Sequence, residues 1–315
     1  MAIGGWTWSP HGPALLKAQV ICINFGVATL EILAFPLVIP TFPLLGVRLI
    51  FCISHLLTVI HPTAVVSPKA EIGNDVKIGP YCVIGDEVKI GARSCLHSHL
   101  VLEGPVTIGE DNEFYPFSSI GARSQDLKYG GEPTYAQIGD RNTFREFVTV
   151  HRGTSPESPT RIGSDNNFLA YTHVAHDAIV GDHCILSNAA TLAGHVIVED
   201  HVILSGMAGV HQFCRVGAHS MIGGCTKIVQ DVPPFTIADG NPAQIRGLNL
   251  IGLQRRGFAP EDIRALKTAY KTLFLKKGLN LTAQIETLEK LDSASNEKVR
   301  QLLDFLRSSD RGIVR

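Results

Sequence analysis

From Val59 to about Val232 a large apolar residue returns every six positions, and this period constrains the fold more than any other property of the chain. Counted from Ile60, the frame runs through Val66, Ile72, Ile78, Ile84, Ile90, Leu96, Leu102, Ile108, Phe114 and Ile120. It resumes at Ile138 and continues through Phe144, Phe168, Val174, Leu192 and Val210 to Ile228. Of its 29 positions only Asp126, Glu132 and Pro156 are not large and apolar, too few for chance in a chain with 45% hydrophobic residues. A six-residue step fits neither a 3.6-residue helix nor the alternation of a hairpin sheet; it fits short parallel strands joined by tight corners. Glycine often follows the aliphatic residue, as in Ile72-Gly73 and Ile78-Gly79, and small residues are expected three places later.

The pattern resembles that of the hexapeptide-repeat proteins, whose left-handed parallel β-helix winds three hexads, 18 residues, into each triangular coil. The hand comes from the resemblance, since parallel crossovers are ordinarily right-handed. Between nine and ten coils then stack at about 4.8 Å, and their aliphatic positions form a core by repetition alone. The expected architecture is mainly β: a left-handed β-helix over 59–237, an α-helical C-terminal domain over 238–315, and an apolar N-terminal extension over 1–58.

Composition narrows the function classes. The net charge is −1 and charged residues make up only 18% of the chain, so nothing global points to nucleic acid. The tail is different, because residues 238–315 hold 14 Lys/Arg against 9 Asp/Glu. The seven cysteines show no CxxC or finger spacing and read as reduced apolar residues of a cytoplasmic protein. Within 1–58, the runs Ala18–Leu30 and Ile32–Val47 are apolar, but Glu31 divides them and Pro36, Pro40 and Pro43 break the second. A spanning helix needs about 20 unbroken apolar residues. Membrane association of this extension therefore lacks support, and an alternative is that the functional start lies near Leu56 or Val59.

Two interruptions leave the frame intact. Gln125–Ala136 (QDLKYGGEPTYA) is two hexads long and has the composition of a loop thrown out from a corner. Ser155–Thr160 (SPESPT) reads as a turn.

Six of the 13 histidines, His173, His176, His183, His195, His201 and His211, fall within 39 residues. An 18-residue coil places His176, Gly194 and Gln212 above one another, and likewise Asp177, His195 and Phe213. One ladder thus carries a base, a backbone N–H able to face an oxyanion, and a polar recognition group. Three imidazoles also suit zinc, but the H-x-x-H pair His173/His176 lacks the spacing of zinc-binding β-helices, so no metal and no cofactor is expected.

The runs QDLKYGGEPT, IGDRN, VHRGT, IGSDN, HVAHD, TLAGHV, GVHQFCRVGAHSMIGGC, QDVPPF and GLQRRGF, spread over residues 59–315, closely resemble the acyl-[acyl-carrier-protein]–UDP-N-acetylglucosamine O-acyltransferases of lipid A synthesis. The resemblance implies transfer of an (R)-3-hydroxyacyl group from acyl carrier protein to the 3-hydroxyl of UDP-N-acetylglucosamine by a metal-free homotrimer with sites between neighbouring β-helices. It makes His176 the general base, Asp177 its partner and Gly194 the oxyanion donor. Asp126, Lys128, His173, His195, His211 and Gln212 match substrate-contacting positions, Asn249 and Arg255 match residues near the nucleotide and its phosphates, and Gly224 matches the ruler for acyl length. Ile251 departs from the family, which in some members carries a glutamate there.

Beyond Pro233-Pro234 the period becomes helical. Ala259-Pro260-Glu261-Asp262 reads as a helix start, with the run ending at Gly278, and Leu281–Leu291 and Ser295–Leu306 read as further helices. The basic stretch containing Arg256, Lys267 and Lys271 offers docking for an acidic carrier protein. An acetyl-CoA-dependent acetyltransferase, the N-acyltransferase of the same pathway and a non-catalytic β-helix are the alternatives; the QDLKY insert, the helical tail and the histidine ladder argue against them.

Overall fold

The computed structural model describes residues 24–25, 28–29, 58–276 and 280–315. The chain divides into two units, 1–53 and 54–315. The first contributes one antiparallel pair, Asn24–Phe25 with Ala28–Thr29; expectations for the remainder of 1–58, and for a stop at Gly278, lie outside the described residues. No described helix is long and apolar enough to cross a membrane.

In the second unit, short strands of mostly two residues stack into three sheets of eleven, nine and eight strands, parallel except for the last strand of the first, which begin at Val59–Ile60, Val65–Val66 and Glu71–Ile72 and are called sheets 1, 2 and 3. Successive strands belong to successive sheets, as a three-sided parallel β-helix requires. The coil is 18 residues, so Val65 pairs with Val83 and Lys77 with Cys95. At the first insertion Val106 pairs with Ala136, and at the second Thr149 pairs with His173. Twelve and six extra residues are whole hexads, which is why the register survives both.

Every frame residue from Ile78 to Ile228, the three exceptions aside, points inward and is buried. Phe114, Phe144 and Phe168 are fully buried and stack at 4.8 Å with ring planes 2° apart, the strand spacing imposed on aromatic rings. The expectation of small residues three places after the aliphatic one needs correction. That place is the corner, where a non-glycine residue adopts φ between 53° and 68° with its side chain outward. The small or polar buried row lies four places after, where the chain turns back in: Cys82, Ser94, Asn112, Asn142, Asn166 and Cys184 belong to it. Its asparagines are satisfied by the repeat itself, since Asn142 N–H donates to Asn112 Oδ1 at 2.9 Å and Asn166 N–H to Asn142 Oδ1 at 3.0 Å.

A left-handed backbone costs a non-glycine residue about 1–2 kcal/mol. Corner side chains stack coil on coil, and an aromatic pair contributes roughly 0.5–1.5 kcal/mol. On the edge between sheets 1 and 2, Tyr81, His99, Phe117, Phe147 and Tyr171 form such a column with centroids 4.8–5.1 Å apart.

The coil closes with Thr236–Asp239, which adds to sheet 1 and turns back antiparallel through Gln244–Leu248. Four α-helices follow: α1 (Leu250–Arg255), α2 (Pro260–Tyr270, extended by a π turn to Leu275), α3 (Leu281–Glu289) and α4 (Glu297–Arg307). Pro260 starts α2 as the sequence indicates; α1 is not legible in the sequence because it is short and starts without an acidic turn. A second core of Leu253, Leu266, Leu273, Leu288, Leu302 and Leu306 packs around Phe235, a corner residue of the last coil. The chain end returns to the β-helix, where Val314 N–H donates to Asp231 O at 2.8 Å.

Phe144→Ala is expected to lower unfolding free energy by about 3–5 kcal/mol, as for large aromatic truncations in a packed core, and Phe144→Leu by distinctly less. Denaturant unfolding followed by circular dichroism checks this; equal losses would mean that the stack is not a packing unit.

Candidate active site

The edge between sheets 2 and 3 carries the residues with chemistry. After the strand His173–Val174, the corner places Asp177 at φ 59°. His176 and Asp177 are each 5% exposed. His176 Nδ1 lies 2.7 Å from Asp177 Oδ2 and 3.0 Å from Thr154 Oγ1. Asp177 is anchored from the preceding coil, accepting Thr154 N–H on Oδ1 at 2.8 Å, while its own N–H donates to Thr160 Oγ1 at 2.9 Å. Burial pushes its carboxyl up, but the Thr154 N–H and the His176 hydrogen bond outweigh burial and leave it below the usual carboxylate range. An ionised Asp177 keeps the His176 proton on Nδ1 and directs the Nε2 lone pair to the open side.

One coil on, Gly194 lies against that ring: a Cβ there would fall 2.3 Å from His176 Cε1 and 2.6 Å from Nε2. Among the described residues Gly194 N–H has no acceptor, so a backbone donor is left free one coil on from the base. The ladder expected from the 18-residue coil is present. His195 N–H donates to His176 O at 3.1 Å and Phe213 N–H to Gly194 O at 3.3 Å, which stacks Gln212 over Gly194. His195 packs its ring on Phe213 at 4.6 Å and brings Nε2 to 3.4 Å from Asp177 Oδ2.

The Gln125–Ala136 insertion reaches this edge from outside. Asp126 sits in a local turn, its Oδ1 accepting Lys128 N–H at 2.9 Å. Asp126, His176 and His195 each offer one ligating atom, all within 4.8 Å of one another. Leu127 and Lys128 are exposed. Beneath the loop is a cavity of about 690 Å³ lined by Asp126, Ser124, Tyr129, Glu103 and His151. His151 is the residue that sequence reasoning missed. It lies in VHRGT, 7% exposed, with Nδ1 buried and unpartnered among the described residues, and its ring meets His173 edge-on at 5.1 Å. The missed signal was spacing: the second insertion puts Thr149 directly below His173, and with it His151 beside the site. His173 in turn shares its Nδ1 with Thr149 Oγ1 at 2.7 Å.

The other expected residues divide between this edge and the rest of the coil. His211 and Gln212 are exposed on the catalytic edge, with Arg311 near His211 Nδ1 at 3.4 Å. Gly224 and Gly206 stack above Asn188, and a Cβ at Gly224 would meet only Gly206 O at 3.5 Å. Asn249 is 4% exposed, with Oδ1 capping α1 at Gly252 N–H and Nδ2 donating to His219 O at 2.9 Å, so part of its amide is spent on structure. Arg256 differs from expectation, because it turns inward to donate to His201 O at 2.9 Å, with Nη1 buried and unpartnered among the described residues. Burial lowers its pKa from the ordinary value, and a half-buried guanidinium held on a backbone carbonyl is poorly placed to dock a carrier protein. Arg255, Lys267 and Lys271 are exposed, as is Ile251.

Asn249 and Arg256 therefore belong to the edge between sheets 3 and 1, beside the stacked rings of His183, His201 and His219. The catalytic edge lies across sheet 3, whose outward Ile179, Ile197 and Arg215 face Phe305 and Ser308 of the α4 region. Within one chain the two groups stand on opposite sides of that covered sheet.

Comparison with known proteins gives the geometry a family. Residues 231–314 match the family model described as Udp N-acetylglucosamine O-acyltransferase, domain 2, and residues 69–104 match the bacterial transferase hexapeptide repeat. The chain is 51% identical over 265 residues to the acyl-[acyl-carrier-protein]–UDP-N-acetylglucosamine O-acyltransferase of Janthinobacterium sp. (strain Marseille), covering 82% of this chain and 100% of that protein. The UDP-N-acetylglucosamine O-acyltransferase structure from Moraxella catarrhalis superposes with TM-score 0.78 at 44% identity, covering 81% and 99% of the two chains. The corresponding structure from Acinetobacter baumannii does so at 0.78 and 47%, covering 82% and 100%. The β-helix is left-handed, as in these structures.

Burial pushes the His151 imidazole down to about 4, with the neighbouring His173, His176 and Arg152 charges acting in the same sense. An unfolded histidine takes up its proton near 6.5. Between those values the unfolded chain binds more protons, so stability is retained above about 6.5 and falls as pH drops toward 4, by roughly 2–3 kcal/mol from this group. His151→Phe is expected to flatten that acid limb in pH-dependent denaturant melts; an unchanged slope would show that His151 titrates normally.

Proposed function

The chain belongs to the acyl-[acyl-carrier-protein]–UDP-N-acetylglucosamine O-acyltransferase family, and from that premise we propose a mechanism in which His176 is the base and the site is completed by a second copy of the chain. The protein transfers an acyl group from acyl carrier protein to UDP-N-acetylglucosamine in lipid A biosynthesis. The observation that carries the mechanism is the fit of the Gly194 backbone against the His176 ring, with Asp177 behind it.

Neutral His176 removes the proton of the sugar 3-hydroxyl through Nε2 as the oxygen attacks the thioester carbonyl. Negative charge builds on the carbonyl oxygen, where Gly194 N–H donates to it. The imidazolium, balanced by Asp177, returns its proton to the departing phosphopantetheine sulfur, so atoms and charge balance without a covalent enzyme intermediate. Cys82, Cys184 and Cys214 are buried, and burial raises their pKa, Cys184 to about 12, which keeps them out of the chemistry. His151, neutral at working pH, suits hydrogen bonding to the acceptor sugar rather than proton transfer. Asp126, Lys128, His173, His195, His211 and Gln212 are the substrate contacts of this reading; Lys267 and Lys271 offer charge to an acidic carrier protein.

A homotrimer is supported by where the exposed apolar groups lie. Val65, Val83 and Val101 on sheet 2, the edge residues Tyr81, Phe117, Phe147, Tyr171 and Met207, and Phe213 on the catalytic edge are all well exposed and share one side of the β-helix. Exposed apolar groups gathered on one side mark an interface, and at Phe213, which stacks on His195, this side borders the base. In this reading a neighbouring copy seated there supplies its Arg255 to the His176 edge of the first, since within one chain sheet 3 separates the two.

His176→Ala is expected to lower transfer by about 10²–10⁴-fold or more in a protein that still folds, and Arg255→Ala to raise the KM for UDP-N-acetylglucosamine. Mixing the two variants after dissociation should restore part of the activity, because some interfaces regain both wild-type residues. Near-normal turnover of His176→Ala refutes the base; absence of any complementation in verified mixed oligomers refutes the shared site.

Gly224 ends a lane floored by Asn188 and Gly206 that has no side chain in its upper two coils. We read it as the acyl groove and expect a long-chain donor to be preferred. Gly224→Met finds open space, so it should shift relative turnover toward shorter hydroxyacyl carrier proteins with the base unaffected; an unchanged ratio in an active variant places the groove end elsewhere.

A further inference from the structure

The open face of the base has a second chemistry. His176 Nδ1 is held by Asp177 at 2.7 Å, leaving Nε2 as its free donor atom. Asp126 uses one carboxylate oxygen on Lys128 N–H and keeps the other. His195 stands on Phe213 with its ring edge turned toward Asp177. The three ligating atoms lie within 4.8 Å of one another. A tetrahedral shell with bonds of about 2.0–2.2 Å places its ligands about 3.4 Å apart. His176 is buried and fixed, but Asp126 and His195 are half-exposed and can close the remaining gap by side-chain rotation.

Two imidazoles and one carboxylate form a donor set suited to zinc and its neighbours, with a fourth position left open to solvent or substrate. Asp177 completes the arrangement from behind. A carboxylate on the far nitrogen of a ligating histidine fixes its tautomer and raises its basicity, and loss of such a partner weakens metal binding about 10–100-fold. The carboxylates of Asp126 and Asp177 also favour a cation at this place, while Lys128, the neighbouring cation of the loop, is exposed.

We propose that Asp126, His176 and His195 bind a borderline-soft divalent cation, Zn²⁺ foremost, and that its occupation switches the enzyme off. The ion takes the Nε2 lone pair that the acceptor hydroxyl needs, so metal and UDP-N-acetylglucosamine exclude each other. Only the inhibitory consequence rests on the function proposed above; the binding site rests on geometry.

The test uses the untagged, metal-stripped full chain titrated with Co²⁺ and followed by visible ligand-field absorption, with Zn²⁺ added to displace it. One four-coordinate ion per protomer is expected. Asp126→Asn and His195→Phe should each weaken binding about tenfold or more, Asp126→Asn without risk to the fold because it lies in the external loop. Saturating UDP-N-acetylglucosamine should bleach the spectrum, and Zn²⁺ should inhibit transfer competitively with that substrate and reversibly on chelation. Absence of a four-coordinate spectrum, or binding indifferent to both substitutions, overturns the site. Binding that depends on both residues but is indifferent to UDP-N-acetylglucosamine supports the site and refutes the functional reading instead.

Discussion

The structure depends on one constraint: each residue of the β-helix sits directly above the residue one coil earlier, at the spacing of hydrogen-bonded strands. Inside, this forces side chains of one position to accept each other as neighbours, hence columns of aliphatics, the phenylalanine stack of 114, 144 and 168, and the asparagine ladder. At the corners it forces left-handed backbone on residues such as Tyr171 and His195. The local cost of that conformation is comparable to what stacking returns, so no corner is stable by itself. The repeat is what makes each tolerable.

Chemistry uses the same constraint. The proposed base on one coil and the proposed backbone donor on the next are separated by one strand spacing, and no loop has to be ordered to bring them together. Glycine at 194 is the one residue type that lets the ring of His176 lie against the chain, since any Cβ would collide with it. Asp177 is held by Thr154, just before the Ser155–Thr160 excursion, and by Thr160, its last residue, so the plain-looking turn braces the Asp177 carboxylate.

What a single coil stack does poorly is surround a large substrate. Its outer surfaces are flat or convex, and the sheet between its two functional edges is covered by the α4 region. The insertion carrying Asp126 supplies one wall, and in the homotrimer proposed above a neighbouring copy supplies the next. The helices after Leu248 are tied to the β-helix by Phe235 and by the returning chain end, so their basic face is held at a set distance from the catalytic edge.

The hexad period by itself determined the parallel coil, the inward row, the two loops and the stacking of His176, Gly194 and Gln212, because all of these follow from counting in sixes and eighteens. The helix at Pro260 was legible for a similar reason, since its start signals are local. Other features were decided only in three dimensions. His151 joins the site through a six-residue excursion that offsets two coils, Asp126 reaches His176 from a loop whose course no period describes, and Arg256 and Asn249 are drawn inward by partners 55 and 30 residues away. Periodicity specifies neighbours wherever the chain repeats itself; where it leaves the repeat, contacts depend on the path taken through space, and that path is written in no single interval of the sequence.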